Sequence, residues 1–333
     1  MTEHVRPAGG LLAVHAHPDD ETLATGALLA TWAAAGEPVT VVTCTRGERG
    51  EVIGEALAHL EGDGPALAAH REVEIADALR HLGVADHAFL DAIPGEDGLP
   101  PRVEDSGMAW LGSGPPGTSG HAGVAPDVPE NALVAVDLDA AAARLARLLR
   151  DRRPSVVVTY EPGGGYGHPD HVRAHEITMR AVALARVGSA DGPAVDPDVW
   201  WAVVPPQTMR DARTELSAHV ALGALDSFDA AHDVLPVLPS PDGPLPAACV
   251  PERTVTHVVD VLPVADAVEA ALRAHGTQVH RLTRVPSGGT TLVVGWYALS
   301  NDVLVPWLST EHYTTANPSD GPDGPQETSS DAR

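Results

Sequence analysis

The amino-acid sequence predicts an α/β fold: a Rossmann-like, mostly parallel sheet with helices on both faces, plus a smaller mixed region toward the carboxyl end. Three observations carry that expectation. Short β-rich runs alternate with longer amphipathic stretches through the first half of the chain. The runs LLAVH, VTVVTC and SVVVTY are apolar at most positions, as strands buried on both faces are. The chain has 333 residues, 44% of them apolar, which is enough for a large core. Aromatics make up only 4%, so that core must consist mainly of Ala, Val and Leu.

Taken in order, residues 11–15 read as a buried strand and 21–35 as a helix. Residues 39–45 form a second strand, 70–82 a helix and 87–90 a short strand. A helix over 137–150 is ended by Pro154; a strand over 155–160 and a helix over 171–186 follow. Two long segments interrupt the pattern: 46–65, rich in Gly and Glu, and 91–131, rich in Gly, Pro and Ser. Segments of that length are expected to be functional lids or disordered loops. After residue 188 strands and helices mix, with Pro-rich joints over 235–251. The expected organisation is therefore a Rossmann-like metal-binding catalytic domain over 1–187 and a smaller α/β region over 188–316 that completes the pocket. A polar, Pro- and Gly-rich tail over 317–333 is expected to be disordered. No internal repeat is visible.

The formal net charge is −25, and the arginines are scattered rather than gathered on one face. Nucleic acid and anionic membrane are therefore not expected partners. The chain contains no lysine, which excludes Schiff-base and P-loop chemistry. The two cysteines, Cys44 and Cys249, lie far apart and form no disulfide framework; Cys44 reads as a small buried hydrophobe. The opening MTEHVRPAGG lacks an apolar signal core, so a cytoplasmic location is expected.

Two clusters carry chemistry. His15-Ala16-His17-Pro18-Asp19-Asp20-Glu21 follows the first strand and opens the first helix. Helix capping accounts for one Asp and for Glu21, but not for His17 beside two carboxylates. The stretch from Gly163 to His171, GGGYGHPDH, follows the strand SVVVTY and again precedes a helix. Its glycines lack the spacing of a dinucleotide fingerprint. Ligands of open α/β sheets bind beyond the carboxyl ends of the strands, so the two His-Pro-Asp turns should meet there. His17, Asp20 and His171 are the expected ligands of one catalytic zinc with an open position. Asp19 and His168 are left uncoordinated. An uncoordinated carboxylate can act as general base, and an uncoordinated His or Tyr can stabilise an oxyanion. These parts amount to a metal-assisted hydrolase.

Both motifs, HPDDE and GHPDH, make the sequence resemble the LmbE-like (PIG-L-like) N-acetylglucosamine deacetylase family. Within it, VHAHPDDET, VTCTRGERGEVIGE, DSGMA, VVVTYEPGGGYGHPDHV, AHGTQV and ALSN followed by STEHY resemble the branch that deacetylates N-acetylglucosaminyl-inositol in mycothiol biosynthesis. These stretches span nearly the whole chain. The resemblance implies zinc on His17, Asp20 and His171, with ferrous iron as an alternative. It implies Asp19 as general base, His168 and Tyr166 as oxyanion donors, and Asp170 as a tuning group, with His168 its candidate partner. It further implies Arg71 as a ligand of sugar or inositol hydroxyls, and Glu48 and Glu51 in a loop bordering the substrate. The partner is then a small acetylated sugar; the oligomeric state is not legible. The related amidases of mycothiol S-conjugates share both motifs but are expected to carry a Lys soon after HPDDE, where this chain has Ala24. A non-catalytic sugar-binding relative would have a broken base or oxyanion position, and neither is broken here.

The other histidines need less. His15 is expected to support the site, and His59, His70, His81, His87, His219 and His275 to lie on solvated or satisfied faces. Gln278 and His312 read equally as pocket-lining or structural residues, and Trp200 and Trp201 as core.

Overall fold

A computed structural model of the chain describes residues 2–95, 98–111, 121–189, 192–221, 236–285 and 291–316. The anticipated tail over 317–333 lies outside them. The strands are β1 (Glu3–His4), β2 (Leu11–His15), β3 (Val39–Thr43), β4 (Asp86–Phe89), β5 (Met108–Leu111), β6 (His121–Val124), β7 (Val156–Tyr160), β8 (Asp198–Val203), β9 (His257–Asp260), β10 (His280–Arg284), β11 (Val293–Ala298), β12 (Leu304–Leu308) and β13 (Thr310–Thr315). The helices are α1 (Asp20–Ala34), α2 (Gly64–Leu82), α3 (Leu138–Arg152), the short turn α4 (Gly164–Gly167), α5 (Pro169–Ala185), α6 (Pro206–His219) and α7 (Ala265–Ala274).

Eight strands form one sheet in the order β1-β9-β13-β8-β7-β2-β3-β4. β13 runs antiparallel to β8 and β9, and the other neighbours are parallel. Alternation along the strands feeds two apolar layers. Leu12, Val14 and Val157 pack with Ala141, Leu145 and Leu149 of α3 and Ile177 and Val182 of α5. Leu11, Ala13, Val156 and Val158 face the other way, toward Leu28 and Trp32 of α1, Ile75 and Leu79 of α2 and Leu272 of α7. Both faces are therefore covered, as the apolar runs require. Trp200 and Trp201 are buried on opposite sides of β8.

From β2 the chain winds outward through β3 to β4, whereas from β7 it winds the other way to β8. The order thus reverses between β2 and β7, and the crevice beyond their carboxyl ends is the binding place of such sheets. The HPDDE segment leaves β2 there and the GHPDH segment leaves β7.

Three features depart from the sequence reading. Helix α2 starts at Gly64, six residues before the expected position, because the Asp63 side chain accepts from the Ala66 N–H at 3.1 Å and Pro65 occupies the first turn. The long segment after Asp91 is not featureless: β5 and β6 pair as a hairpin within it. Residues beyond 187 do not stand apart from the first sheet, since β8, β9 and β13 all join it, while β10, β11 and β12 form a separate antiparallel sheet. No helix among the described residues is long and apolar enough to cross a membrane.

The STEHY stretch contributes to the fold from a distance. Thr25 leaves helical geometry at φ −142°, ψ 15°, which kinks α1 and frees backbone donors after it. The half-buried Glu311 carboxylate of β13 accepts from Ala27 N–H at 2.7 Å and Leu28 N–H at 2.9 Å, capping the second half of the helix. Tyr313 donates its hydroxyl to the same carboxylate at 2.6 Å.

Candidate active site

Four side chains converge where β2 and β7 end. His17 Nδ1 lies 3.2 Å from Asp20 Oδ2, and His171 Nε2 lies 3.3 Å from Asp20 Oδ1, so one carboxylate bridges two imidazoles. His17, His168 and His171 each offer a ligand atom within 4.8 Å of the others, and all are buried. The remaining ring nitrogens of the two bridged imidazoles face acceptors. His17 Nε2 faces Asp170 Oδ2 at 3.2 Å, and His171 Nδ1 faces the Gly164 carbonyl at 3.2 Å. In neutral imidazole one nitrogen donates and the other keeps a lone pair. With both rings neutral, as metal ligation requires, those acceptors would leave lone pairs on His17 Nδ1 and His171 Nε2, both toward Asp20.

His168 is held differently. Its Nδ1 accepts the Asp170 backbone N–H at 3.1 Å, capping α5. Burial, with His17 and His171 adding to it, holds its pKa well below the usual range. With Nδ1 accepting, the proton of a neutral ring falls on Nε2, which can then donate a hydrogen bond into the site.

The site fits a divalent cation. His171 Nε2 and Asp170 Oδ1 are buried without a hydrogen-bond partner. Burial alone would lower the pKa of His17, yet Asp105, Asp170 and Asp20 outweigh it and raise it well above normal. Burial would raise Asp20, but His171 and His17 hold it well below the carboxylate range. Three carboxylates around one imidazole, with lone pairs converging, make a donor set suited to a 2+ ion.

Asp19 sits beside this set without joining it. It caps α1 at φ 108° and ψ −37°, a backbone region costly for any residue but Gly. Burial pushes its carboxyl up to about 7, against the pull of Arg71. Tyr166 borders the site from α4, its ring edge-on to His171 at 5.1 Å and to His168 at 6.0 Å. The local glycines are steric necessities: Gly164 has φ 67°, and a Cβ there would lie 2.7 Å from Val172 N and 3.0 Å from His171 Cβ.

Asp170, Arg71, Glu48 and Glu51 make the following contacts within the chain. The Asp170 carboxylate reaches His17 and the Ser106 N–H, the latter at 2.9 Å; its link to His168 is through its own backbone N–H. Helix geometry explains this, because an N-terminal capping side chain turns back onto the N–H groups that follow it. Arg71, expected to meet sugar hydroxyls, is 3% exposed and donates to the Gly47 carbonyl at 2.8 Å and to the Pro18 carbonyl. Glu48 turns inward, accepting from Arg46 N–H at 3.1 Å and Asp105 N–H at 3.3 Å, so it shapes its loop from within. Glu51 is exposed, and its carbonyl accepts from Gln278 at 2.9 Å.

Other residues join the site from outside the two His-Pro-Asp turns. The Tyr160 hydroxyl accepts the Ala16 N–H at 2.9 Å while its ring stacks on His171 at 4.3 Å. Asp105 Oδ1 lies 3.7 Å from His17 Nε2. Asp105 and Ser106 belong to the DSGMA stretch, which was the available pointer. His15 bonds Thr25 Oγ1 at 3.0 Å through Nε2, and its ring lies edge-on to that of Tyr160 at 5.5 Å.

Residues 12–182 match the model of the PIG-L family, GlcNAc-PI de-N-acetylase. The chain belongs to this family. Among its relatives are proteins named 1D-myo-inositol 2-acetamido-2-deoxy-alpha-D-glucopyranoside deacetylase. That of Kineococcus radiotolerans is 44% identical over 91% of this chain and 76% of its own length. That of Streptomyces avermitilis is 40% identical over 92% of each, and that of Nocardia farcinica 41% identical over 95% of this chain and 93% of its own. The PIG-L match covers the stretch that carries both His-Pro-Asp turns, so the family and the site coincide in the chain.

Proposed function

We propose that this PIG-L protein hydrolyses the N-acetyl group of N-acetylglucosaminyl-inositol, releasing acetate and glucosaminyl-inositol. The observation that carries the reading is the pairing of a three-donor set, His17, Asp20 and His171, with an uncoordinated carboxylate and a neutral imidazole donor beside it. The relatives' names supply the substrate class; the donor geometry supports the reaction type.

His17, Asp20 and His171 would hold the cation, with Asp170 fixing the tautomer of His17 and the Gly164 carbonyl that of His171. A bound zinc ion, or ferrous iron, would supply Lewis-acid activation of water and of the amide carbonyl. Asp19, buried and poised near neutrality, takes the proton from the attacking water. His168 donates Nε2–H to the oxygen that gains charge, and Tyr166 stands ready on the open side for the same oxygen. The proton held by Asp19 then passes to the departing amine, and the acetyl carbon leaves as acetate.

The test is amine release from N-acetylglucosaminyl-inositol by metal-depleted protein, with zinc or ferrous iron then added back, beside a mycothiol S-conjugate. Metal-restored turnover that prefers the first substrate is expected. Preference for the conjugate would make the protein an amidase instead, and absence of turnover on either would refute the reading.

A further inference from the structure

The Pro18–Asp19 peptide is gripped at both ends by buried charged side chains. Its carbonyl accepts from Arg71 Nη2, and its N–H donates to Glu21 Oε2 at 3.0 Å. Glu21 is fully buried and is anchored in turn by His275 Nε2 at 2.8 Å and by the Thr22 hydroxyl at 2.5 Å. His275 follows α7, 254 residues further along the chain. Arg71 reaches its carbonyl only because Gly47, at φ 64°, has no side chain: a Cβ there would sit 2.0 Å from Arg71 Nη1.

The grip explains the strained backbone of Asp19. Turning the peptide plane by about 180° would carry Asp19 from φ 108° to about −72° at its present ψ of −37°, which is ordinary helical geometry. After such a turn, however, the Pro18 carbonyl would face the Glu21 carboxylate and the Asp19 N–H would face the Arg71 guanidinium. Both contacts are repulsive, so the two charges select the strained orientation. Arg71 Nη2 also lies 3.4 Å from Asp19 Oδ1, so the group that fixes the peptide also aims the carboxylate.

We infer that Arg71 and Glu21, the latter anchored by His275, are positioning residues that clamp the Pro18–Asp19 peptide and thereby orient the Asp19 carboxylate toward the attacking water. The inference rests on the deacetylase reading and departs from the expectation that Arg71 binds sugar hydroxyls. A substrate ligand and a positioning clamp differ in which kinetic constant they control.

The test compares Arg71→Lys, Glu21→Gln and Gly47→Ala with the parent on N-acetylglucosaminyl-inositol, at matched metal content. Gly47→Ala is expected to act like Arg71→Lys, because it displaces the guanidinium. The clamp predicts that kcat falls about 10- to 100-fold in these two, and less in Glu21→Gln, with KM within about twofold. A raised KM with kcat retained would make Arg71 a substrate ligand and overturn the inference, as would unchanged kinetics. Should these variants not fold, hydrogen exchange at the Asp19 amide of the parent decides. Protection comparable with the β2 amides supports the clamp, and exchange at the rate of an open loop overturns it. A parent without turnover would refute the deacetylase reading, and amide exchange would still judge the clamp.

Discussion

The site contains the tripeptide His-Pro-Asp twice, and the two copies are put to different use. In the turn after β2, the histidine, His17, turns a lone pair toward the donor set, and Asp19 is the strained cap of α1 with its carboxylate beside Arg71. In the turn after β7, the histidine, His168, is itself the helix cap, and Asp170 lies inside the first turn of α5 with its carboxylate on His17. The helix starts after the aspartate in one copy and at the proline in the other. That shift of phase rotates each side chain to a different neighbour. Sequence identity over three residues therefore fixes neither which atom faces the cation nor which group stays free; the position of the first helical residue does.

The largest effect that can break this comparison is on turnover. Asp19→Asn removes the proposed base and should lower kcat by ~10²–10⁴-fold with metal retained, whereas Asp170→Asn should leave the base intact. Steady-state kinetics on both variants with metal analysis checks the contrast. The two histidines come next. His168→Ala loses one hydrogen-bond donor and should cost ~10²–10³-fold in kcat without loss of metal, while His17→Ala should lose the metal itself. Below that, Asp170→Asn should weaken metal affinity ~10–100-fold by releasing the orientation of His17, measurable by competition with a chelator.

A smaller effect concerns pH. The Asp19 carboxyl is raised to about 7 and must be ionised to accept a proton, so kcat/KM should climb as pH rises through its midpoint. A bound cation favours the ionised form, so that midpoint should fall at or below about 7, and Asp170→Asn should retain this limb. The smallest effect is on stability. Asp19→Gly relieves the positive φ, a strain of about 1–3 kcal/mol, and offsets part of what its contacts contribute. Asp170→Gly relieves no strain and strands two donors, at a cost of about 1–3 kcal/mol. Thermal melts should therefore rank Asp170→Gly below Asp19→Gly.

Much of this is legible in the sequence. The apolar runs that became β2, β3 and β7 announced a sheet covered on both faces, and the position of each His-Pro-Asp turn between strand and helix put both on one sheet edge. What escaped was long-range. Tyr160 reads as the last residue of a strand, yet its hydroxyl meets Ala16 N–H across the sheet. His275 reads as a satisfied histidine at a helix end, and nothing nearby says that its partner is Glu21. Arg71 reads as a surface helix residue until the glycine opposite it, Gly47, is seen to make room. Glu311 lies in the STEHY stretch, and nothing near it in the chain says that it caps the donors exposed by the kink at Thr25. Periodicity reports which face of an element is buried, not which distant group it meets there.

The most direct test of the division of labour between the two turns is metal content and turnover measured together on Asp19→Asn. The structure predicts metal bound as in the parent and deacetylation lost. Turnover close to the parent, or loss of metal with the carboxylate, would contradict it.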